Sequence, residues 1–372
     1  MTSGSVALAP VPVIGLPRDV DTPALVVDRS RLDANVARLQ AALDERRIAL
    51  RPHAKTHKSV AIARLQLEAG ALGLTVGTLG EAEVFAAAGV RDIFIAYPIW
   101  VEGRKASRLR ALHDAAEIRV GVDSAGAVDR LAAAVRGATR PLEVVIEIDP
   151  GFHRTGVAPA DAVHVAEAAR RAGLVVLGVF AHGGHGYRVG GREDAAADEV
   201  RTLEVAAAAL ESAGFDVRAI SAGSTPTMLG AATGRVNEIR AGTYVLGDRQ
   251  QWVLGAIPGD GVAAFIAATV VSVAEDRVVV DAGAKTLTKD RADWIDGFGL
   301  LPGYPEALVE RLSDYHGVIT FPRGGPRPQL GEIVAIVPNH ICPVVDLFDS
   351  FLVIDAAGKV ERWPVDARGR SG

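Results

Sequence analysis

The stretch Leu142-Glu-Val-Val-Ile-Glu-Ile-Asp-Pro-Gly-Phe-His-Arg-Thr-Gly156 sets the pattern for two thirds of the chain. A short β-branched run passes through a Pro/Gly turn into residues 159–171, where apolar side chains recur at helical spacing. The same short apolar run returns at residues 48–52, 72–76, 93–97, 117–122, 175–181, 217–221 and 238–245. Helical patterns cover 58–68, 80–88, 125–135 and 193–210, with 31–43 ahead of the first run. Strands alternating with helices pair in parallel through right-handed crossovers. Eight of them predict an α/β fold, a closed (β/α)8 TIM-type barrel over residues 25–247. The alternative is an open, doubly wound sheet, in which two of these runs would not be strands.

Beyond Asp248 the rhythm stops. Residues 262–273, 277–281, 317–321, 332–337 and 351–354 read as strands, with one helical stretch at 304–311. A Gly/Pro-rich segment, 254–261, marks a boundary. A second, mainly β domain is therefore expected from residues 248–372 together with 1–24.

Composition narrows the function. A chain of 372 residues can build a large core. Its net charge of −5 lacks the basic excess of a nucleic-acid binder. The single cysteine, Cys342, excludes an internal disulfide framework and fits a reducing compartment. Residues 1–10 carry no basic region ahead of an apolar core, and the longest apolar run, 262–274, is too short to span a bilayer. A cytoplasmic protein with no nucleic-acid or membrane partner is expected.

Barrels place reacting groups at the C-terminal ends of their strands. The first strand ends in Arg51-Pro-His-Ala-Lys-Thr-His-Lys58. A lysine at a partly dry strand end, near Arg51, His53, His57 and Lys58, would have its pKa lowered toward neutrality, as Schiff-base formation requires. Alone, Lys55 reads as an ordinary barrel-top lysine. The loops after the last two strands of a barrel commonly hold phosphate. Here Gly223, Ser224 and Thr225 open a short helical segment after strand seven, and Gly242-Thr243 ends strand eight. A reactive lysine opposite a phosphate cradle points to pyridoxal phosphate.

These motifs resemble the D-threonine aldolase / D-serine dehydratase family of fold-type III (alanine-racemase-like) pyridoxal-phosphate enzymes, which includes the 3-hydroxyaspartate lyases. The resemblance extends through Asp21-Thr-Pro-Ala-Leu-Val-Val27, Gly80-Glu-Ala-Glu83, Asp149-Pro-Gly-Phe-His-Arg154, Asp281-Ala-Gly-Ala-Lys285, His316-Gly317 and Pro338-Asn-His-Ile-Cys-Pro343. It implies that Lys55 carries the coenzyme and that Arg154 lies near its O3′. Arg240 falls where related racemases set an arginine against the pyridine nitrogen. His182 and Tyr187 match a dehydratase strand-six motif, with Tyr187 a coenzyme contact. On extended backbone His340 and Cys342 would share one face, and imidazole with thiolate suits zinc. Unaided, His-x-Cys reads as a buried free cysteine beside a solvent-facing histidine. The resemblance makes the pair metal ligands, for zinc or alternatively manganese or cobalt, with Asp346 and Asp349 as outer-shell candidates.

The implied chemistry is a lyase acting on D-β-hydroxy amino acids, of D-serine/D-threonine dehydratase type: Lys55 removes the α-proton and the metal-bound hydroxyl leaves. The alternative is aldolase-type retro-aldol cleavage to glycine and an aldehyde, with His182, His185 or His53 as base. An amino-acid racemase using Tyr304 or Tyr315, or a non-catalytic coenzyme-binding protein, would be further alternatives. Asp314-Tyr315 replaces the paired acids usual before His316-Gly317, so Tyr315 and Trp294 would favour a larger β-substituent. By resemblance the protein is a homodimer with its active site at the subunit interface.

Overall fold

The computed structural model describes residues 8–372, and the expectations placed on residues 1–7 lie outside it. The chain forms two compact units. One holds the residues up to Ala37 with Thr243–Arg368, and the other Arg38–Gly242 with Gly369–Gly372. The first elements are β1 (Ala24–Asp28) and α1 (Arg29–Asp44), and the division falls within α1.

The second unit is the barrel. Strands and helices alternate as β2 (Ala49–Leu50), α2 (Val60–Glu68), β3 (Leu74–Val76), α3 (Leu79–Ala87), β4 (Asp92–Ile95), α4 (Arg104–Ala115) and β5 (Glu117–Val122). They continue as α5 (Ala125–Ala134), β6 (Glu143–Ile148), α6 (Ala162–Arg171), β7 (Val175–Ala181), α7 (Arg192–Ser212), β8 (Ala219–Ala222) and β9 (Glu238–Ile239). The eight strands run β2-β9-β8-β7-β6-β5-β4-β3, each pair parallel. Backbone bonds close the remaining gap. Leu72 N–H donates to Leu50 O (2.8 Å), Thr75 N–H to Pro52 O (2.9 Å) and Ala54 N–H to Thr75 O (2.8 Å). The barrel, not the open sheet, is the fold.

Strands covered on both faces must be apolar throughout, and β6 and β7 are buried along nearly their whole length. Inside, Phe94 meets Phe180 edge-on at 5.1 Å, with Ala96, Val145 and Leu177 around them. Residue 121 must be glycine, because a Cβ there would lie 2.7 Å from the Phe180 ring. The helical segment expected at Gly223 is instead a series of turns. Gly223 takes φ +85°, and the Thr227 hydroxyl captures Ser224 N–H at 2.9 Å, ending any helical path.

In the first unit α8 (Arg249–Val253) precedes β10 (Ala264–Val273), which pairs antiparallel with β1, with β11 (Arg277–Val280) and with β14 (Ile333–Ile336). Between the last two lie α9 (Ala284–Leu287), β12 (Leu308–Leu312) and β13 (Gly317–Thr320), the strands continuing the sheet from β11. After α10 (Ile341–Val345), β15 (Ser350–Ile354) joins β1 in parallel and β16 (Val360–Pro364) follows it. Two expectations are corrected here. Residues 24–28 do not enter the barrel but form a strand of this sheet. Residues 304–311 are not helical: β12 pairs with β13 to bury Val309 and Leu312. The core gathers Phe265, Val26, Val262 and Val337 with Val11 and Ile14. Among the described residues no helix is long and apolar enough to cross a membrane.

Candidate active site

Lys55 stands just past the residues that close the barrel, half-buried, and its Nζ donates to Tyr97 Oη at 2.6 Å. Tyr97 follows β4, and the Arg154 guanidinium lies over the same ring, 5.2 Å from its centre. Arg154 is delivered by a stapled turn. Asp149 accepts from Gly151 N–H (2.9 Å) and His153 N–H (3.0 Å) and meets His153 Nδ1 at 2.7 Å, with His153 at φ +57°. Against the effect of partial burial, these bonds hold Asp149 below the usual carboxylate range.

The cations around Lys55 are not all those expected. Arg51 is fully buried but turns to Glu238 (2.7 Å) and to both oxygens of Asp92. Lys58 pairs with Glu81 at 3.4 Å. The charges felt at the site are instead Arg240 and Arg154. Burial, reinforced by Lys55 and Arg240, holds His53 well below the ordinary histidine range. Burial with Lys55, Arg154 and Arg240 does the same for His182, whose ring lies edge-on to Phe152 at 5.8 Å and 6.2 Å from Tyr187. Both imidazoles are thereby held toward the uncharged form. His185 is drawn elsewhere, to Asp198 at 3.2 Å.

Arg240 is buried in the barrel. Its Nε donates to Ser221 Oγ (2.9 Å), Nη2 donates to Ala181 O, and the guanidinium lies 5.1 Å from the Phe180 ring centre. Ser221 passes its proton donor to Glu238 (2.7 Å), which links Arg240 to Arg51. At the phosphate loops, Glu199 of α7 accepts from Gly183 N–H (2.8 Å) and Gly223 N–H (3.1 Å), tying the turns after β7 and β8 together. Its burial raises the Glu199 carboxyl above its usual range. Ser224 and Thr225 are buried in that loop. Gly242 passes so near the lysine loop that a Cβ would lie 2.8 Å from His53 O, so the position requires glycine. Thr243, the next residue, begins the other unit.

In the β unit, His340 sits on extended backbone at the residue before α10, without a side-chain capping bond, whereas Cys342 lies in the first helical turn and not on extended backbone as expected. The two side chains still meet. Burial opposes protonation of His340, but Cys342, Asp290 and Asp248 outweigh it and raise its pKa to about 11. His340 Nδ1 lies 2.6 Å from Asp290 Oδ2, and Thr243 Oγ1 lies 3.7 Å from Cys342 Sγ. Buried Asp248 accepts from Gln251 N–H and Ile341 N–H, seating α10 on α8, and burial raises its carboxyl to about 6. Asp349 pairs with Arg368, and the Asp346 backbone oxygen accepts from Arg368. Tyr304 donates to Glu332, and Lys285 donates to Tyr315. No group of three or more His, Cys, Asp or Glu among the described residues is placed to enclose an ion.

Tyr97, Glu199 and Asp290 were not anticipated. Tyr97 carried a usable signal, since it ends an apolar run at 93–97. Glu199 is one of several acids on an alanine-rich helix, and Asp290 sits in an irregular loop.

A closed parallel barrel whose strand ends gather a lysine, two arginines, two histidines and buried hydroxyls fits the class of fold-type III pyridoxal-phosphate enzymes. The donor set suits that coenzyme: an amine for its aldehyde, and cations and hydroxyls for its anionic groups. Residues 27–250 match the family described as "Alanine racemase, N-terminal domain", and residues 263–354 match the "Putative serine dehydratase domain". The chain is 34% identical over 371 residues to the D-threo-3-hydroxyaspartate dehydratase of Delftia sp. (strain HT23), covering 92% of this chain and 97% of that one. It is 34% identical over 364 residues to the D-threonine aldolase of Arthrobacter sp, covering 95% and 94%. The solved Delftia structure superposes with a TM-score of 0.86 at 32% identity, over 93% of this chain and 98% of that one. The D-threonine aldolase of Filomicrobium marinum gives 0.86 at 32%, over 98% and 99%. Solved alanine variants of a D-threo-3-hydroxyaspartate dehydratase replace a histidine and a cysteine two positions apart, the cysteine variant being in a metal-free form. The chain belongs to the D-threonine aldolase / D-serine dehydratase family of fold-type III pyridoxal-phosphate enzymes and is a pyridoxal-phosphate-dependent lyase.

Proposed function

We propose that this lyase eliminates the β-hydroxyl of a small D-β-hydroxy amino acid as water, after which water hydrolyses the resulting imine to a 2-oxo acid and ammonia. The carrying observation is the contact between His340 and Cys342, an imidazole and a thiol at the spacing altered in the dehydratase variants. Retro-aldol cleavage to glycine and an aldehyde is the second reading, supported by the likeness to the Arthrobacter D-threonine aldolase.

Bound at Lys55, pyridoxal phosphate supplies an electron sink for charge developing on the substrate α-carbon. The remaining work belongs to the chain. Lys55 would hold the coenzyme through its amine, and the same amine, when free, is placed to take the substrate's α-proton; Tyr97, 2.6 Å from Nζ, orients it for both tasks. Arg154 and Arg240 offset the coenzyme's negative charge, and Tyr187 and His182 line the same strand end. With Gly223 N–H and Ser224 N–H already engaged, the hydroxyls of Ser224, Thr225 and Thr243 and the backbone at Gly242 hold the phosphate. His182, neutral through its surroundings, moves the proton that the departing hydroxyl or a returning carbon requires. His340 and Cys342 would hold a divalent cation, zinc by ligand chemistry and manganese or cobalt as alternatives, whose Lewis acidity would make the β-hydroxyl easier to lose. The family resemblance and the lone thiol support a cytoplasmic homodimer with the active site at the subunit interface, which sedimentation of the purified protein tests.

Incubation with D-threonine separates the readings. Elimination yields 2-oxobutanoate and ammonia, whereas glycine and acetaldehyde without oxo acid overturn it.

A further inference from the structure

His340 meets a carboxylate that no local pattern connects with it. Asp290 lies 50 residues earlier, beyond α9, yet its Oδ2 sits 2.6 Å from His340 Nδ1. The chain reaches this position through Thr288 at φ +61°, a left-handed conformation that β-branched residues rarely adopt. The Thr288 hydroxyl then accepts the Asp290 N–H at 3.2 Å, fixing the turn. Asp290 remains 47% exposed and His340 31%, so solvent screens the pair. A purely structural role therefore accounts poorly for so unfavourable a turn. A ligand role accounts for it better. An imidazole that donates Nδ1–H to a carboxylate has its ring plane and tautomer fixed, presents the Nε2 lone pair outward, and becomes a more basic donor.

Resting on the reading of His340 and Cys342 as cation ligands, we propose that Asp290 is the positioning residue of that site. It does not touch the ion. It locks the His340 ring with Nε2 turned to the cation beside Cys342, and it thereby sets the affinity for a divalent metal.

The test uses the full-length, coenzyme-loaded enzyme, stripped of metal by chelation and titrated with Co2+ alone. The thiolate-to-cobalt absorption reports binding at Cys342. Asp290→Ala should weaken Co2+ binding by about 10- to 100-fold, with the coenzyme spectrum and the melting temperature of the metal-free protein unchanged. Asp290→Asn, which keeps the volume and an acceptor oxygen but not the charge, should fall between, and Asp290→Glu should recover most of the affinity. Binding by both the Ala and Asn variants within roughly twofold of the parent would overturn the inference. A parent enzyme without the cobalt–thiolate band, or an equal titration of His340→Ala, would instead overturn the metal reading, and the inference with it.

Discussion

The barrel unit and the β unit treat charge in opposite ways. The barrel buries Arg51, Arg240, Lys58, Glu81, Glu147, Glu199 and Glu238, and it binds most of them into networks. In the β unit the ion pairs Lys285–Asp314, Lys359–Glu361 and Arg368–Asp349 stand at the surface. Among the described residues of that unit, Asp248 is the one buried Asp, Glu, Lys or Arg, and it seats the segment bearing His340. Removing a charge from water is costly unless it is paired and hydrogen-bonded. Where a chain does so repeatedly, as at the barrel's strand ends, the polar groups indicate chemistry. Where it does so once, they indicate one special place on an otherwise structural sheet.

The most severe test of this contrast removes one chemical group from each unit. Lys55→Ala should cut turnover by at least about 10^3-fold and abolish borohydride-stable labelling of the coenzyme-loaded protein. Its folding should be intact, because Lys55 is half-buried and makes one side-chain hydrogen bond, to Tyr97. Cys342→Ala should lower turnover by about 100-fold or more, the scale of the charge stabilisation a bound cation supplies. Its imine absorbance should be unchanged and its residual activity insensitive to chelators. Full, chelator-sensitive activity in the cysteine variant would reduce the β unit to a support and leave the barrel to do all the chemistry.

What was readable beforehand follows the same division. Parallel strands covered on both faces appear as unbroken apolar runs, so the barrel could be counted strand by strand, and its ends led to Lys55, Arg154, His182 and Arg240. The run at 24–28 has the same character as a barrel strand. Only its pairing with β10, more than 200 residues away, assigns it to the other sheet, and no local pattern carries that information. The His340–Cys342 pair was readable as a motif, but its backbone was not, because a five-residue helix leaves too little periodicity to detect. Glu199 and Asp290 were invisible for a related reason: one acid among several on α7, and one in an irregular loop, acquire their roles through contacts that folding creates.

A smaller effect measures how far the barrel depends on its buried charge. Arg51 contacts Glu238 and Asp92 with no solvent exposure of its own side chain. Arg51→Met leaves Glu238 buried with only Ser221 and the more distant Arg119, at 3.9 Å, to offset it. Loss of one partner from a buried pair costs about 3–5 kcal/mol, so the midpoint of urea unfolding should fall accordingly. An unchanged midpoint would mean that water enters the barrel and that its charges are not truly buried.

The smallest prediction separates two kinds of buried carboxylate. Burial opposes ionisation of Glu238, but Arg51 and Arg119 outweigh it and hold its pKa below the ordinary 4.5. Burial raises that of Glu199 instead. A depressed native pKa gives stability that is present above the unfolded value and lost as pH falls through the native one. A raised native pKa does the reverse: stability is greatest below the unfolded value and declines as pH climbs to the native one. Glu199→Gln loses part of its grip on Gly183 N–H and Gly223 N–H and should cost about 1–3 kcal/mol. Its deficit against the parent should be widest in acid and should narrow as pH rises. The deficit of Glu238→Gln should be widest near neutrality and should shrink toward acid. Urea titrations from about pH 4 to about pH 8 would show the two slopes. Slopes of the same sign would mean that the Arg51–Glu238–Ser221–Arg240 network does not govern ionisation inside the barrel.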